Sequence, residues 1–463
     1  MFTDISMQRQ HRQSLQLGLI YVVDQLFPAE TLHIPYSIPN GIYCELGTSP
    51  VSKREVTLID DHLRRWVYQD LPLELLGKEN GYYLFKLGTK TIRSIYPALD
   101  RSSYVQDFRL IPFHTGFVLC FSQDGLRDTI YHPPTKLSAT YAETLSWLRH
   151  LEITQLNNVN AYIDRGEFNE LICLAEALHE KKISSIADAI ANNRRAVRVV
   201  LVSGPSSSGK TTFTQRLSTQ LRVNGLKPVS ISLDDYFVDR AQTPRDASGQ
   251  LDFDALEALD IALLNENIDQ LISGEEAELP KYNFVTGQRE PFGQFMRLEE
   301  QNVLILEGIH ALNPSLLTLP TSKYTIFKIY ISALFQVNID PCNRVPTTEA
   351  RLLRRIVRDC QFRGFPPNRT LRQWESVRRG EDNNVFPFQE EADIMFNSSL
   401  LYELNILRPF AEPLLQGIPQ DDPNKETADR LLNLLTFFRP LPATAVPFNS
   451  ILREFIGGSI YSF

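Results

Sequence analysis

The sequence predicts an α/β fold: a P-loop NTPase-type parallel sheet with helices on both faces, preceded by a smaller α+β domain. Three observations carry this. Beyond residue 196, short β-branched runs alternate with helix-compatible segments, the order that a covered parallel sheet requires. One junction holds Gly204-x-x-x-x-Gly209-Lys210-Thr211, after an apolar run and before a helical pattern, which is the context of a phosphate-cradling loop. Residues 1–192 instead mix long helical patterns with short strands punctuated by Pro and Gly. The expected domains are 1–192 and 193–463, the latter a P-loop domain with a C-terminal extension.

In the first domain, Leu15, Leu19, Val22, Val23 and Leu26 fall on one helical face. Residues 34–41 read as a punctuated connection, with Asn40-Gly41 a turn before a short strand at 42–46. A helix is expected over 56–68, strands over Tyr82–Leu87 and 117–121, and His114 in a loop. A long helix over 168–191 follows, and Asn192-Asn-Arg-Arg195 closes it. In the second domain the strands are Val197–Ser203, 228–233, 302–306 and 327–331, with a helix over Lys210–Val223. Ala392-Asp393-Ile394 should lead into a further strand.

The chain has 463 residues, long enough for two or three full cores. Its net charge of −8 argues against a surface built for nucleic acid or anionic membrane, although the arginines between 344 and 379 form a local basic stretch. Cys44, Cys120, Cys173, Cys342 and Cys360 are scattered without a CxxC pair, which predicts reduced, buried thiols and a cytoplasmic setting. No apolar run approaches the ~20 residues of a membrane span. Asp24 interrupts the one N-terminal stretch, 17–23, that could suggest a signal peptide.

The chemistry gathers at the carboxyl ends of the strands, where ligands of such sheets bind. Gly204, Pro205, Ser206, Ser207, Ser208, Gly209, Lys210, Thr211 and Thr212 would form the cradle. There, backbone N–H groups and a helix N-terminus face phosphate oxygens. Lys210 would reach the β- and γ-phosphates and Thr211 would bind Mg²⁺. Asp234 and Asp235 follow the next strand, and either could take the proton of an attacking hydroxyl or merely cap a turn. Glu307, after Val303-Leu-Ile-Leu306, suits a direct or water-bridged Mg²⁺ ligand. His310 could contact substrate or satisfy a local backbone group.

The loop resembles that of uridine kinases, within the wider uridine kinase and phosphoribulokinase family. So do Leu233-Asp-Asp-Tyr-Phe237, Gly249-Gln-Leu-Asp-Phe-Asp254, Leu279-Pro-Lys-Tyr-Asn-Phe284, Leu306-Glu-Gly-Ile309 and Arg351-Leu-Leu-Arg-Arg-Ile-Val-Arg-Asp359, in the same order. The resemblance spans 197–397. It implies an ATP- and Mg²⁺-dependent kinase for a nucleoside or similar sugar, with a phosphopentose kinase or an ATP-binding regulator as alternatives. It also implies Asp234 as the base for the acceptor hydroxyl, Asp254 on the ribose hydroxyls, and Phe237 and Tyr282 around the base. Arg358 and Arg363 would be lid arginines, whereas Arg354 and Arg355 could equally form a solvated face. Uridine kinases carry a histidine after the Tyr-x-Phe segment; here Gly287 stands there. The stretches 369–381 and 386–397 resemble a two-domain subgroup, and Arg378 and Arg379 could reach phosphate or face solvent.

Gln25-Leu-Phe-Pro28 and Ile38-Pro-Asn-Gly-Ile-Tyr43 resemble the second accessory domain of threonyl-tRNA synthetases. That domain's HxxxH pair is replaced here by Gln13 and Leu17, and no Cys-x-x-x-His follows. No zinc and no editing activity are therefore expected. The expected partner is a small-molecule acceptor, with neither nucleic acid nor membrane; homo-oligomerisation stays open.

Overall fold

Buried β-branched runs and their crossover helices build the part of the chain that holds the phosphate loop. The computed structural model describes residues 5–47, 49–105, 107–121, 133–193, 197–246, 249, 251–284, 286–291, 293–299, 301–318 and 325–461. They form two compact units, each drawn from three stretches of chain. The first takes 1–168, 335–349 and 412–441; the second takes 169–334, 350–411 and 442–463. The expected contiguous halves thus differ from these units. The long helix before residue 193 packs with the second unit, and two later segments return to the first.

The first unit opens with α1 (Ile5–Leu26), then β1 (Leu32–Ile38), β2 (Gly41–Leu46) and α2 (Lys53–Tyr68). A capping box starts α2: Ser52 and Glu55 each bond the other's backbone N–H. Next come β3 (Glu74–Glu79), β4 (Tyr82–Leu87), β5 (Lys90–Ser94), β6 (Phe108–Phe113) and β7 (Gly116–Phe121). Helices α3 (Thr135–His150) and α4 (Leu156–Asp164) follow. An antiparallel sheet of order β1-β2-β7-β6 and the meander β3-β4-β5 share a core with α1 and α2, in which Leu15, Ile59, Trp66 and Phe117 are buried. Strand β1 lies where the sequence suggests only a punctuated connection. It accommodates Pro35 because its register with β2 shifts between His33 and Tyr36.

The second unit begins with α5 (Phe168–Asn192), β8 (Val197–Ser203), α6 (Lys210–Val223) and β9 (Lys227–Ser232). Helix α7 (Ile261–Ile272) leads to the excursion β10 (Glu276–Leu279), β11 (Tyr282–Asn283), β12 (Gln288–Arg289) and β13 (Gln294–Arg297). Then come β14 (Asn302–Glu307), β15 (Thr325–Ser332), α8 (Thr347–Phe362), α9 (Pro367–Asn384), β16 (Ile394–Asn397) and α10 (Glu403–Gln416).

Five parallel strands run in the order β16-β15-β8-β14-β9, and β16 continues the sheet from Ala392-Asp393 as expected. The chain leaves β8 for strands on one side and later returns to the other, so the end of β8 is a topological switch point. Strand β8 is buried over most of its length, as a strand covered on both faces must be. Cys44 and Cys120 are buried, but Cys173 is exposed, because it lies on the outer face of α5. Among the described residues no helix is long and apolar enough to cross a membrane.

Candidate active site

The loop between β8 and α6 is shaped by two glycines and one strained serine. Gly209 takes φ 86°, ψ 28° as the N-cap of α6, a left-handed conformation that suits glycine. A Cβ on Gly204 would stand 2.0 Å from the Ile331 carbonyl oxygen, so no side chain fits there. Ser207 adopts φ 59° without that freedom, which needs support from its surroundings.

That support comes from hydrogen bonds to the loop's carbonyls. Lys210 Nζ donates to the oxygens of Gly204 (3.0 Å) and Pro205 (3.3 Å). Arg351 donates to Ser206 O (3.0 Å), Arg354 to Ser207 O (3.4 Å) and the Ser398 hydroxyl to Ser208 O (2.5 Å). Every carbonyl from 204 to 208 is thereby occupied. Among the described residues, the N–H groups of Ser207, Gly209, Lys210 and Thr211 have no hydrogen-bond partner. The loop presents open donors at a helix N-terminus, which is an anion site.

Two donors beside them are already taken by carboxylates. Glu381 accepts from Ser206 N–H (2.9 Å), and Glu454 accepts from both the N–H (3.2 Å) and the hydroxyl (2.9 Å) of Thr212. Ile451 packs against Gly209, so residues 451–454 sit at the start of α6. The sequence reading gave no role to Glu381, Glu403 or Glu454, which lie far from the loop in the chain.

The arginines of α8 are not a solvated face. Arg351 and Arg354 are buried and pair with Glu381 (2.5 Å) and Glu403 (2.5 Å), both also buried. Arg355 donates to the Ser206 hydroxyl (2.8 Å). Asp359, itself buried, gathers Arg355 (3.3 Å), Arg358 (3.0 Å) and Arg363 (3.5 Å), and accepts from the Thr370 hydroxyl. Arg378 is held by Glu381 and Asp382, and Arg379 by Glu375 and Asp246, which spends both on acids rather than leaving them free.

Asp234 and Asp235 sit on a 3₁₀ turn after β9, Leu233–Tyr236, and they part company there. Asp235 is tied down by Lys281 (3.2 Å) and the Tyr282 N–H (3.4 Å). Solvent reaches the Asp234 side chain, yet dense surrounding protein raises its pKa, opposed by Lys210, Arg363 and Arg358. These couplings bring Asp234 into the field of the loop lysine and two lid arginines. Burial pushes Glu307 up to about 7, against the pull of Lys210, and Asp234 and Glu454 add to the rise. Thr211 donates to Glu307 Oε1 (3.3 Å), whereas the buried Oε2 has no partner among the described residues.

Asp254 is likewise pushed up to about 7, chiefly by burial, with Arg355 opposing and Glu381 adding. It rests on Gly380, where a Cβ would come 2.4 Å from its own Cβ. Phe237, Tyr282 and Phe284 form an aromatic cluster with centroids 5.1–6.1 Å apart, and Phe253 joins it at 6.2 Å. Phe284 is exposed and Tyr282 buried, so the cluster has an open edge. Gly287 lies beneath the Arg240 guanidinium, whose Cζ would be 2.5 Å from a Cβ. His310 is buried beside the backbone of Ala255, and burial lowers its pKa to about 4. Among the described residues no group of three or more His, Cys, Asp or Glu side chains gathers to hold a metal.

Residues 199–401 match the Phosphoribulokinase / Uridine kinase family. A uridine kinase from Deinococcus deserti is 29% identical over 198 residues, 42% of this chain and 86% of that protein. One from Staphylococcus aureus is 28% identical over 202 residues, 43% of this chain and 87% of that protein. The solved structure of a possible uridine kinase from Bacillus stearothermophilus aligns with a TM-score of 0.30 at 18% identity, over 45% of this chain and 96% of that one. The second unit carries a P-loop kinase domain, and the chain is a phosphotransferase with an alcohol group as acceptor.

Two outcomes follow from these contacts. Glu307 keeps its proton to about pH 7 when folded, against an ordinary 4.5. Between those values the folded state binds more protons, so this group makes stability fall as pH rises. Glu381 works in the opposite sense: burial alone would raise it, but Arg351 holds it below 4.5. The informative quantity is therefore the difference between two melting curves. Glu307→Gln should gain stability over the parent as pH rises from 4.5 to 7, and a constant difference would reject the assignment. Gly380→Ala would add about 0.5–1 kcal/mol in an open helix. Here it should lower the denaturation midpoint, because the methyl group meets Asp254.

Proposed function

We propose that the chain transfers the γ-phosphate of ATP to a hydroxyl of a nucleoside or related sugar. One observation carries this: Asp234 is an accessible carboxyl with raised proton affinity, electrostatically coupled to the lysine of a loop whose N–H groups stand open. Phosphoryl transfer asks little covalent chemistry of a protein; it asks for positioning and charge stabilisation. The open amides would take the phosphate oxygens, and Lys210, released from the Gly204 and Pro205 carbonyls, would follow the charge to the β- and γ-phosphates. Arg358 and Arg363, gathered by Asp359, are suited to clamp the transferred group.

Asp234 would accept the proton of the acceptor hydroxyl. Asp235 is a poorer candidate, since Lys281 and the Tyr282 amide already hold it. The Thr211 hydroxyl and Glu307 Oε2, which has no partner among the described residues, are hard oxygen donors that would hold Mg²⁺. When bound, Mg²⁺ would neutralise phosphate charge as it develops. Asp254 would accept from sugar hydroxyls, and Phe237 and Tyr282 would line the acceptor's flat face. A second reading, a sugar-phosphate acceptor, draws support from Arg240, whose guanidinium covers Gly287 and, among the described residues, bonds Phe284 O (2.9 Å).

Turnover with ATP, Mg²⁺ and a panel of nucleosides, pentoses and pentose phosphates tests the reading; ATP hydrolysis alone, with no acceptor phosphorylated, would reject it. Asp234→Asn should lower kcat by about 10²–10⁴, the usual share of a general base, and leave ATP binding intact. Asp235→Asn should act mainly on stability, and the reverse pattern would exchange the two roles. Glu454→Ala should free the Thr212 donors and lower the KM for ATP on the order of tenfold, as removal of one charged hydrogen-bond competitor implies. A raised KM would instead make Glu454 a nucleotide contact.

A further inference from the structure

Hydrogen bonds between separate stretches of the first unit gather Arg9, Arg344 and Arg430 around Tyr96, and the phosphotransfer reading uses none of them. Helix α11 (Lys425–Leu435) carries Glu426, Arg430 and Asn433 at helical spacing, so the three share a face. Its first turn is tied to α1, where the Ser6 hydroxyl donates to Glu426 Oε1 (2.6 Å). Its last turn is tied to the segment after β5, where Asn433 Nδ2 donates to Ile95 O (3.2 Å). Arg430 lies between these anchors, and Arg9 stands one turn beyond Ser6 on α1.

The segment after β5 is held from two further sides. Asn343 Oδ1 accepts from the Ile95 N–H and its Nδ2 donates to Arg93 O, both at 3.2 Å, and Arg344 is the next residue. The Leu99 N–H donates to the Ser14 hydroxyl of α1 (2.7 Å). Tyr96 therefore sits among the three guanidinium groups, and its phenol feels all of them as well as Glu349.

The acids nearby do not balance these cations. Glu349 is buried and pairs with Arg430. Glu426 is exposed and holds the Ser6 hydroxyl. Among the described residues Arg9 has no hydrogen bond or ion pair, and Arg344 bonds only the carbonyl of its neighbour Val345 (3.3 Å). Desolvation lowers the proton affinity of Arg9, Arg430 lowers it further, and Glu349 opposes. Burial does the same to Arg344. Each cation thus sits where its charge is disfavoured until an anion meets it.

A solute can reach both. Arg9 and Arg344 are partly exposed, and neither has a nitrogen that is at once sealed from solvent and unpartnered. Arg430 Nη2 and the Tyr96 hydroxyl are sealed, so they shape the wall and its field rather than touch a ligand. A guanidinium presents a fork of N–H donors that matches oxyanions. One such fork fills a carboxylate, whereas a phosphate has oxygens for two forks that arrive from different elements.

We propose that Arg9 and Arg344, backed by Arg430, form a binding site for a phosphate group, free or carried on a small phosphomonoester. All its residues belong to the first unit and the phosphate loop belongs to the second, so the proposal does not depend on the phosphotransfer reading.

Hydrogen–deuterium exchange of the full chain tests it, with inorganic phosphate or ribose 5-phosphate at millimolar concentration against potassium chloride of equal ionic strength. Slower exchange over residues 5–14, 94–99, 343–349 and 426–433 is expected. Protection by inorganic phosphate would identify the free ion as sufficient, and protection by ribose 5-phosphate alone would identify the ester. Arg9→Gln changes a partly exposed helix position, and Arg344→Gln is the second variant. Either should raise the concentration needed for half protection about tenfold or more, the loss of one charge-assisted hydrogen bond. Unchanged protection in Arg9→Gln, protection confined to residues 204–212, or none beyond the chloride control would each overturn the proposal.

Discussion

A chain that turns a row of amide N–H groups toward one point must dispose of the matching carbonyls on the other side. That requirement organises the second unit. The carbonyls of Ser206 and Ser207 are met by Arg351 and Arg354, that of Ser208 by Ser398, and those of Gly204 and Pro205 by Lys210. Guanidinium groups in such a place cannot stay unpaired, because an isolated buried charge is heavily penalised. Glu381 and Glu403 answer them, and Arg351 also stacks over Trp374 while Arg354 faces Phe455. Buried ion pairs add little net stability over well-packed apolar residues, yet breaking one costs about 3–5 kcal/mol. Their value here is conformational: apolar side chains could not bond the carbonyls and hold Ser207 at φ 59°.

The same arrangement sets the electrostatics of the cleft. Asp234, Asp254 and Glu307 all have raised proton affinity, with desolvation by the surrounding protein the first cause and a neighbouring acid adding in each case: Asp235 at Asp234, Glu381 at Asp254 and Asp234 at Glu307. Lys210, Arg355, Arg358 and Arg363 oppose that rise at one or another of them. Carboxylates from α9 and from Glu454 near the end of the second unit take the donors at either end of the loop.

What could be read in advance follows the range of the interactions. Strands β8, β14 and β15, helix α6 and the loop are signalled within a few residues, since apolar runs, glycines and a lysine act locally. The arginine stripe at 351, 354, 355 and 358 has helical spacing, and that pattern alone describes a solvated face as well as a buried one. Only Glu381 and Glu403 decide between them, and they stand 30 and 49 residues from their partners. Glu454 is more remote still, 242 residues from Thr212. Strand β1 was hidden for another reason: Pro35 reads as a breaker, and the register shift that admits it is a property of the pair. The division into units was hidden because 335–349 and 412–441 rejoin the first unit from within the kinase sequence.

Under the proposed reading, acceptor choice would rest on a coupling of the same long-range kind. Gly287 takes φ 73° and lies under the Arg240 guanidinium, so a side chain at 287 would have to displace that group. The Arg240 N–H bonds the Gly287 carbonyl (2.8 Å) and its side chain bonds that of Phe284, which closes a small turn against the open edge of the aromatic cluster. A side chain at 287 and the present place of Arg240 therefore exclude each other. A histidine at 287 would bring a neutral hydrogen-bonding ring and expel a cation; glycine admits the cation and leaves its remaining N–H donors to an acceptor. A guanidinium prefers oxyanions and carbonyls in a plane, whereas the aromatic cluster prefers a flat ring. An acceptor that uses both must present a ring or sugar face to Phe237 and Tyr282 and an oxygen-rich edge toward Arg240. Of the two acceptor classes proposed, nucleosides would offer that edge as base carbonyls and pentose phosphates would offer it as a phosphate.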